Sequence, residues 1–203
     1  MYNLSVFVSG RGSNLKSLFQ EIYDSDIRIV SVVTSVPDCG AVIFADENNI
    51  PVFLVSDKPK EGFVNFDTLT GLLKSQNVNL VVLAGFLKKI PDNFVEAFQN
   101  KIINIHPALL PSFGGKGMYG INVHKAVFEK SAQLSGATVH FVDKVYDNGK
   151  IIAQKSVDIS DVNSPEDIAE RVLKIEHELL PFVVKKIAFK KIEIRNNRVY
   201  ILN

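Results

Sequence analysis

The chain has 203 residues, of which 46% are hydrophobic and 22% charged, and its formal net charge at pH 7 is +1. This near-neutral balance gives no electrostatic case for a nucleic-acid partner, and no apolar run approaches the roughly 18 residues that span a bilayer. The single Cys39 excludes an internal disulfide framework, and strand-like sequence begins almost at once, without a secretion leader. We therefore expect a globular, cytoplasmic protein.

The first hundred residues alternate strand-like and helix-like segments. Strands are predicted at residues 4–8, 27–34, 52–55, 80–83 and 102–105. Helices are predicted between them at residues 14–23, 41–48, 64–75 and 91–98. The strand runs are apolar without alternation, which is typical of strands covered on both faces. This pattern predicts an α/β fold with a mostly parallel sheet flanked by helices.

The second half of the chain has a different pattern. Alternating strands are predicted at 137–142 and 151–157, separated by the turn signal Asp147-Asn148-Gly149. Ser164 and Pro165 predict the N-cap and the first residue of a helix that runs to about residue 181. A further helical piece is predicted to about residue 190, followed by a terminal hairpin of residues 192–195 and 198–202.

A glycine-rich loop, Ser9-Gly10-Arg11-Gly12-Ser13-Asn14, lies between the first strand and the first helix. Glycines let the backbone approach a ligand closely, and the amides at a helix N-terminus bind anions. Leu15 stands where a dinucleotide fingerprint requires a third glycine, so a dinucleotide is not predicted. The loop predicts a pocket for a phosphate monoester; the alternative is a tight turn followed by a serine cap.

The run Asn104-Ile105-His106-Pro107 places an amide and an imidazole two residues apart at a predicted strand end. Residues i and i+2 of a strand share one face, and a residue before proline favours extended backbone. An amide donor beside an imidazole suits acyl transfer, which needs an oxyanion donor and a proton carrier. The alternative is an amide that caps a turn and a histidine of the core.

Asp147 is the carboxylate that we expect to face His106. A nearby anion raises the pKa of a histidine, so His106 would be held cationic near neutral pH. The alternative role of Asp147 is to initiate the turn by bonding its own backbone. His140 lies on an alternating strand, where it would either join this network or be structural.

Other candidates are assigned weaker roles. His124, His177 and Cys39 are expected to be structural. The glycine-rich segment 113–120 predicts an active-site loop or lid.

Together these motifs resemble those of the phosphoribosylglycinamide formyltransferase family, the folate-dependent glycinamide ribonucleotide transformylases. The resemblance covers essentially the whole chain and is carried by Val8-Ser9-Gly10-Arg11-Gly12-Ser13-Asn14-Leu15, Val81-Val82-Leu83-Ala84-Gly85-Phe86, Asn104-Ile105-His106-Pro107-Ala108-Leu109-Leu110-Pro111, Gly136-Ala137-Thr138-Val139-His140-Phe141-Val142, Asp147 and Glu176-His177. It implies the formyltransferase fold as a single domain of residues 1–203. Residues 1–100 would form a mononucleotide-binding half, and residues 101–203 would complete the folate cleft.

The resemblance also implies an enzyme that transfers the formyl group of 10-formyltetrahydrofolate to the amine of glycinamide ribonucleotide in purine (IMP) biosynthesis. The catalytic positions would be Asn104, His106 and Asp147. The ribonucleotide would bind at Gly12, Ser13, Asn14 and Glu176. The folate would contact Leu87, Lys88, Lys89, Ile90 and Asn104. No metal is expected, the partners would be small molecules, and the chain would be a monomer or weak homodimer.

Three features depart from the family pattern. The loop Pro59-Lys60-Glu61-Gly62 lacks an arginine that often contacts the folate. Leu173 stands where the family commonly has a lysine or glutamine, a contact that Lys174 would have to supply. The segment 113–120 is longer and richer in glycine than in many relatives.

Several rival functions use the same catalytic residues. A methionyl-tRNA formyltransferase would need a C-terminal RNA-binding domain, and this chain ends at Asn203. A formyltetrahydrofolate hydrolase would usually have an additional N-terminal regulatory domain. A sugar-amine formyltransferase would not need the Gly12-Ser13-Asn14 pocket. A non-catalytic sensor of a phosphorylated ligand would keep the glycine loop but would not need Asn104, His106 and Asp147 together.

Overall fold

Seven of the described strands form one sheet, and two more form a C-terminal hairpin. The structure is a computed structural model that describes residues 1–202. The strands are β1 (Tyr2–Phe7), β2 (Ile27–Thr34), β3 (Val52–Leu54), β4 (Leu80–Leu83), β5 (Ile102–His106), β6 (Leu134–Phe141), β7 (Ile151–Asp158), β8 (Ile192–Arg195) and β9 (Arg198–Ile201). The helices are α1 (Ser13–Glu21), α2 (Gly40–Glu47), α3 (Phe66–Ser75), α4 (Asp92–Ala97), α5 (Ile121–Glu129) and α6 (Pro165–Ala188).

The strand order in the sheet is β3-β2-β1-β4-β5-β6-β7. β1 pairs in parallel with β2 and β4, β2 pairs in parallel with β3, and β6 pairs antiparallel with β7. All four residues of β4 are buried, as its unbroken apolar sequence predicts for a strand covered on both faces. The predicted α/β fold with a mostly parallel sheet and a hairpin-containing second half is confirmed.

The chain packs as two compact units, which divide after Ile103. In the first unit, β1 and β4 are neighbours in the sheet although they are not consecutive in the chain. A point where the strand order reverses leaves a crevice at the carboxyl ends of the strands, where ligands of such sheets bind. The glycine loop follows β1 and the segment Leu87 to Ile90 follows β4. The fold therefore brings both predicted binding segments to this point.

The core of the first unit is centred on the fully buried Phe94 of α4. Its ring lies 5.7 Å from that of Phe7 on β1, 5.4 Å from that of Phe66 on α3 and 4.9 Å from that of Phe98. Offset and edge-to-face pairs at such distances add stabilisation beyond the area they bury. This cluster anchors α3 and α4 to β1, the strand that leads into the glycine loop.

In the second unit, α6 packs against β6 and β7, and α5 packs against α6. Ser164 caps α6 as predicted, because its hydroxyl accepts the Asp167 amide at 3.1 Å. The predicted break near Pro181 is wrong, since α6 runs without interruption from Pro165 to Ala188. An interior proline costs a helix about 3 kcal/mol. Here Pro181 is buried together with Leu179, Leu180, Val183 and Val184, and this packing keeps the helix continuous.

The terminal hairpin pairs β8 with β9. Asn196 and Asn197 connect the two strands with φ angles of 47° and 61°. Positive φ at both central residues defines the type I′ turn that suits a two-residue hairpin, and asparagine tolerates it well.

Candidate active site

Alternate positions on β5 and β6 bring three predicted polar residues of the second unit together with Asp147. The Asn104 Nδ2 atom lies 3.1 Å from His140 Nε2. Asp147 lies between the two histidines: its Oδ2 is 3.7 Å from His106 Nδ1, and its Oδ1 is 3.7 Å from His140 Nε2. The structure thus brings Asn104, His106 and Asp147 together and places His140 among them. We call these four residues the imidazole–carboxylate cluster.

The loop between β6 and β7 holds Asp147 in this position. Asp147 has a φ of 52°, and its Oδ2 accepts the Gly115 amide at 2.9 Å. The local turn bond comes from Asp143 instead, whose Oδ1 accepts the Val145 amide at 2.8 Å. The predicted hairpin is confirmed, since β6 and β7 pair antiparallel, but its connection is longer than the tripeptide and spans residues 142–150. The side chain of Asp147 is left to face the histidines.

The tautomers of the two clustered histidines follow from their carbonyl partners. His106 Nε2 lies 2.8 Å from the Phe113 carbonyl, and His140 Nδ1 lies 2.8 Å from the Phe141 carbonyl. A carbonyl only accepts, so both nitrogens carry a proton. In the neutral tautomer with this Nδ1 proton, the lone pair of His140 is at Nε2 and accepts one N–H of Asn104. The second N–H of this amide makes no further hydrogen bond within residues 1–202 and is available to a ligand.

The charge state of His106 differs from the predicted one. Its side chain is only 2% exposed, and burial lowers the pKa of His106 more than Asp147 and the Phe113 carbonyl raise it. The positive charge of His140 would lower it further. The expectation that Asp147 holds His106 cationic is thus wrong. His106 is a neutral imidazole near pH 7, because the desolvation penalty of a buried imidazolium exceeds the stabilisation that one neighbouring carboxylate provides.

Asp147 is itself held ionised. Burial raises the pKa of this carboxyl, but the His140 ring, the Gly115 amide and the His106 ring together lower it further, so the net shift is downward. A carboxylate is therefore fixed beside two imidazoles. This arrangement can stabilise a proton that arrives on either ring.

A third buried histidine, His124 on α5, interacts electrostatically with His106. Burial, and then the charge of His106, lower the pKa of His124 to about 4. Its Nδ1 is buried without a hydrogen-bond partner among the described residues. The sequence predicts only a structural role for His124. Its electrostatic interaction with His106 depends on how α5 packs, and no local sequence motif indicates that packing.

The glycine-rich segment 113–120 lies directly on the cluster. A side chain at Gly114 would place its Cβ 2.5 Å from Leu110 Cδ2 and 3.2 Å from Asp147 Cβ. Phe113 and Gly115 on either side have φ angles of 56° and 98°. Glycine at 114 and 115 is therefore required for the backbone to reach Asp147. The role of this segment as a lid stays a prediction.

In the first unit, Gly12 is the N-cap of α1, with a φ of 74° and no side-chain capping bond. The alternative of a serine cap is wrong, since Ser13 is already the first helical residue. A Cβ at Gly12 would lie 3.1 Å from the Cβ of Ala41 on α2. Glycine thus supplies both the left-handed backbone and the close approach of two helices. Asn14, the second residue of α1, is buried.

Ser9 joins the glycine loop to the segment after β4. The Ser9 amide donates to the Gly85 carbonyl at 3.0 Å, and the Leu87 amide donates to Ser9 Oγ at 3.1 Å. The two loops at the reversal of strand order are therefore held together by two hydrogen bonds in which Ser9 takes part, once as donor and once as acceptor.

The predicted folate-contact segment is not uniform. Leu87 is 57% exposed, whereas Ile90 is buried in the core. Lys88 Nζ is 2.6 Å from Asp57 Oδ2. Lys89 is an exposed side chain near Asp92. Leu87 and Lys89 are therefore the exposed side chains of this segment.

The remaining predicted contact residues lie on α6 and in the loop before α3. Glu176 is buried on α6, three residues after the half-buried Leu173. Lys174 does not fill the polar position, because its Nζ bonds Glu170 at 2.8 Å on the exposed side of the helix. In the loop 59–62, the Lys60 ammonium lies 4.0 Å from the centre of the Phe63 ring.

Comparison with known proteins defines the class. The model of the formyl transferase family matches residues 2–184, and the chain belongs to this family. It is similar to the chloroplast phosphoribosylglycinamide formyltransferase of Arabidopsis thaliana, at 44% identity over 98% of this chain and 70% of that protein. The phosphoribosylglycinamide formyltransferase of Bacillus subtilis is 34% identical over 92% of this chain and 95% of its own length.

A solved structure agrees with these relatives. The crystal structure of phosphoribosylglycinamide formyltransferase from Anaplasma phagocytophilum matches with a TM-score of 0.89 at 33% identity, covering 99% of this chain and 93% of that one. The resemblance predicted from the motifs is confirmed, as is the prediction of an enzyme of this class. Among the described helices, none has the length and apolar character needed to cross a membrane.

Proposed function

We propose that this protein transfers the formyl group of 10-formyltetrahydrofolate to the amine of glycinamide ribonucleotide in purine biosynthesis. The observation that carries the proposal is the imidazole–carboxylate cluster. It combines an amide with a free N–H, a neutral buried imidazole and an ionised carboxylate within one compact unit. The names of the relatives above support formyl transfer to phosphoribosylglycinamide, that is, the choice of the acceptor.

The first chemical step is attack of the substrate amine on the formyl carbon. A carbon–nitrogen bond forms, and the formyl oxygen becomes an oxyanion. The second N–H of Asn104 donates to this oxygen, while His140 holds the amide in place through the first. Loss of one such donor typically lowers the rate about 10²- to 10³-fold.

Proton transfer follows from the neutral state of His106. The Nε2 proton is committed to the Phe113 carbonyl, so Nδ1 is the basic atom and accepts the proton released by the attacking amine. Asp147, 3.7 Å from this nitrogen, stabilises the imidazolium, which also opposes the oxyanion charge. The same proton passes to the folate nitrogen as its bond to the formyl carbon breaks. The products are tetrahydrofolate and the N-formylated ribonucleotide, and no metal ion is needed.

The binding contacts are assigned to segments at the reversal of strand order and to α6. The phosphate of the ribonucleotide is proposed to bind the amides of Gly12, Ser13 and Asn14, because the N-terminus of α1 favours an anion. Glu176 contributes to the same substrate. The folate is proposed to contact Leu87–Ile90 and Asn104, with Leu87 as the exposed apolar surface.

Further expectations belong to the same proposal. Residues 1–203 act as one functional domain on small-molecule substrates, without nucleic-acid or membrane partners, as a monomer or weak homodimer. A cytoplasmic location is proposed, since Cys39 is a buried free thiol and a reducing compartment keeps it so.

The decisive assay measures release of tetrahydrofolate from 10-formyltetrahydrofolate with and without glycinamide ribonucleotide. Release that requires the ribonucleotide, together with appearance of its formylated product, is the expected result. Equal release without it would identify a hydrolase and overturn the proposal. Formylation of the non-phosphorylated glycinamide riboside with an equal kcat/KM would instead favour a sugar-amine acceptor.

A further inference from the structure

The side-chain amide nitrogen of Gln154 on β7 donates two hydrogen bonds, one with each of its hydrogens. Its Nε2 donates to the Leu110 carbonyl at 2.8 Å and to Thr138 Oγ1 at 2.9 Å. Gln154 and Thr138 are directly opposite each other in the antiparallel register of β6 and β7. Such cross-strand pairs hold neighbouring strands in register. Here the pair also reaches a third segment of the chain.

Thr138 is completely buried, and its hydroxyl is fully used. It donates to the Ala108 carbonyl at 2.6 Å and accepts the Leu110 amide at 3.0 Å as well as the Gln154 amide. A hydroxyl has one proton and two lone pairs, so no capacity remains. Three backbone groups between Ala108 and Leu110 are therefore fixed by two side chains, which we call the Thr138–Gln154 clamp.

The clamped segment lies between His106 and its carbonyl partner Phe113 along the chain. Leu110 also contacts the segment that holds Asp147, because a Cβ at Gly114 would lie 2.5 Å from Leu110 Cδ2. The next residue, Gly115, donates its amide to Asp147. A shift of Leu110 would thus disturb both the Phe113 carbonyl that bonds His106 and the amide that bonds Asp147.

We propose that Gln154 is a positioning residue of the active site, which acts through Thr138 and Leu110 to hold the backbone partners of His106 and Asp147. The assignment rests on the proposed function for its catalytic consequence. The Gln154 amide nitrogen bonds Leu110 and Thr138, which lie outside the imidazole–carboxylate cluster, so it orients the catalytic groups without touching the reacting atoms.

The main test is Gln154→Leu, which keeps similar bulk and removes both donors at an exposed position of β7. We expect kcat per folded molecule to fall about tenfold, since lost hydrogen bonds of this kind are worth roughly one decade in rate. The KM of each substrate should stay within about twofold. Gln133→Leu is the matched control, because the Gln133 amide bonds only the nearby Ser131 carbonyl.

The second readout is the pKa of His106, measured by NMR titration of its ring without substrates. The titratable groups around His106 are Asp147, His140 and His124, and none of the three is substituted in this variant. The Phe113 carbonyl raises the pKa of His106, so displacing it should move the titration to lower pH. Thr138→Val should reproduce both effects, and Thr138→Ser, which keeps the hydroxyl, should restore the wild-type values.

The outcomes are separable. A lower melting temperature with unchanged kcat per folded molecule and an unchanged His106 titration would overturn the proposal and leave Gln154 a structural residue. If wild type shows no formyl transfer, the proposed function fails, while the NMR titration still decides whether the clamp positions His106. If Thr138→Val does not fold, Gln154→Leu alone decides.

Discussion

The two polar regions of this protein are built on different physical principles. The first unit presents loops at the reversal of strand order, where Gly12 adopts a left-handed conformation as the N-cap of α1 and offers no side-chain capping bond. In this unit burial raises the pKa of Tyr2. The second unit presents His106, His124 and Asp147, whose pKa values are all displaced by burial and by one another.

In the proposed function, this difference separates binding from chemistry along the chain. The first region depends on conformation, because backbone amides bind an anion only where the turn places them. The second depends on electrostatics, because proton transfer requires groups with matched pKa values. Substitutions in the first region should therefore act mainly on KM, and substitutions in the second on kcat and its pH dependence. The following predictions test that division.

The largest effect is expected for Asn104→Ala. Removing the oxyanion donor should lower kcat by about 10²- to 10³-fold, with the KM of the ribonucleotide nearly unchanged. Steady-state kinetics with both substrates measures this. Asn93→Ala is the control, because the Asn93 amide bonds Asp67 at an exposed site of the first unit. A loss in kcat of less than about fivefold would remove Asn104 from the mechanism.

The second prediction concerns Asp147→Asn. In the proposed scheme neutral His106 is the base, so kcat rises with pH through the His106 pKa and levels off near neutrality. Asp147 raises this pKa against the larger effect of burial, so its removal should shift the acid limb to lower pH. A carboxylate at such a distance typically changes the pKa of a neighbouring group by about one to three. The measurement is the kcat profile of both enzymes between pH 4 and 9.

The control for this experiment is Asp143→Asn in the same loop. Asp143 bonds the Val145 amide and the Asn148 side chain and makes no recorded contact with the histidines. The acid limb of the kcat profile of the Asp143→Asn enzyme should coincide with that of wild type. Coincident acid limbs for wild type and Asp147→Asn would instead show that Asp147 does not tune His106.

Much of the fold could be predicted from the distribution of apolar residues, because this distribution reflects the burial of the strands on both faces of the sheet. The predicted limits of β2 and β4 agree with the structure at both ends; both strands are rich in aliphatic residues, and β4 is apolar throughout. The continuity of α6 through Pro181 was not predictable, because it depends on packing against other elements. Local propensity favours a break there, and tertiary packing overrides it.

The membership of the cluster was predictable, but its charge state was not. Residues 104 and 106 share a strand face by simple alternation, which places the amide and the imidazole on one side. The neutral state of His106 depends on how completely its ring is buried, and that is set by the Phe113 segment and by β6. The choice of Asp143 rather than Asp147 as the turn residue likewise depends on a long loop whose shape no dipeptide signal specifies.

The third prediction uses His124 to test the electrostatic character of the second unit. Its pKa is about 4 in the folded protein, against about 6.5 when unfolded, so the unfolded state binds the proton more tightly. Stability is therefore unaffected above about pH 6.5 and is lost as pH falls towards 4. Between pH 7 and pH 5 the loss from this residue is about 2 kcal/mol.

The variant His124→Phe should lack this part of the acid sensitivity. Urea unfolding at pH 7 and pH 5 measures the free energy of unfolding of both proteins. The matched control is His177→Phe on α6, where burial lowers the pKa at a half-buried position and the effect should be smaller. An equal loss of stability in wild type and His124→Phe would show that His124 is not kept neutral by the fold.

The smallest effect is expected for Gly12→Ala in the first unit. Alanine must adopt a φ near 74° and place its Cβ 3.1 Å from that of Ala41, so the loop should shift by a few tenths of an ångström. Left-handed backbone costs a non-glycine residue about 1–2 kcal/mol. We expect the KM of the ribonucleotide to rise about tenfold, with kcat and the KM of the folate changed less than about twofold.

Gly10→Ala is the control in the same loop, because nothing lies within 4 Å of its added Cβ. Inhibition by ribose 5-phosphate should weaken in parallel for Gly12→Ala alone, since this probe carries the phosphate without the reacting amine. An equal rise in KM for both substrates would mean that the loop supports the fold and does not recognise the phosphate.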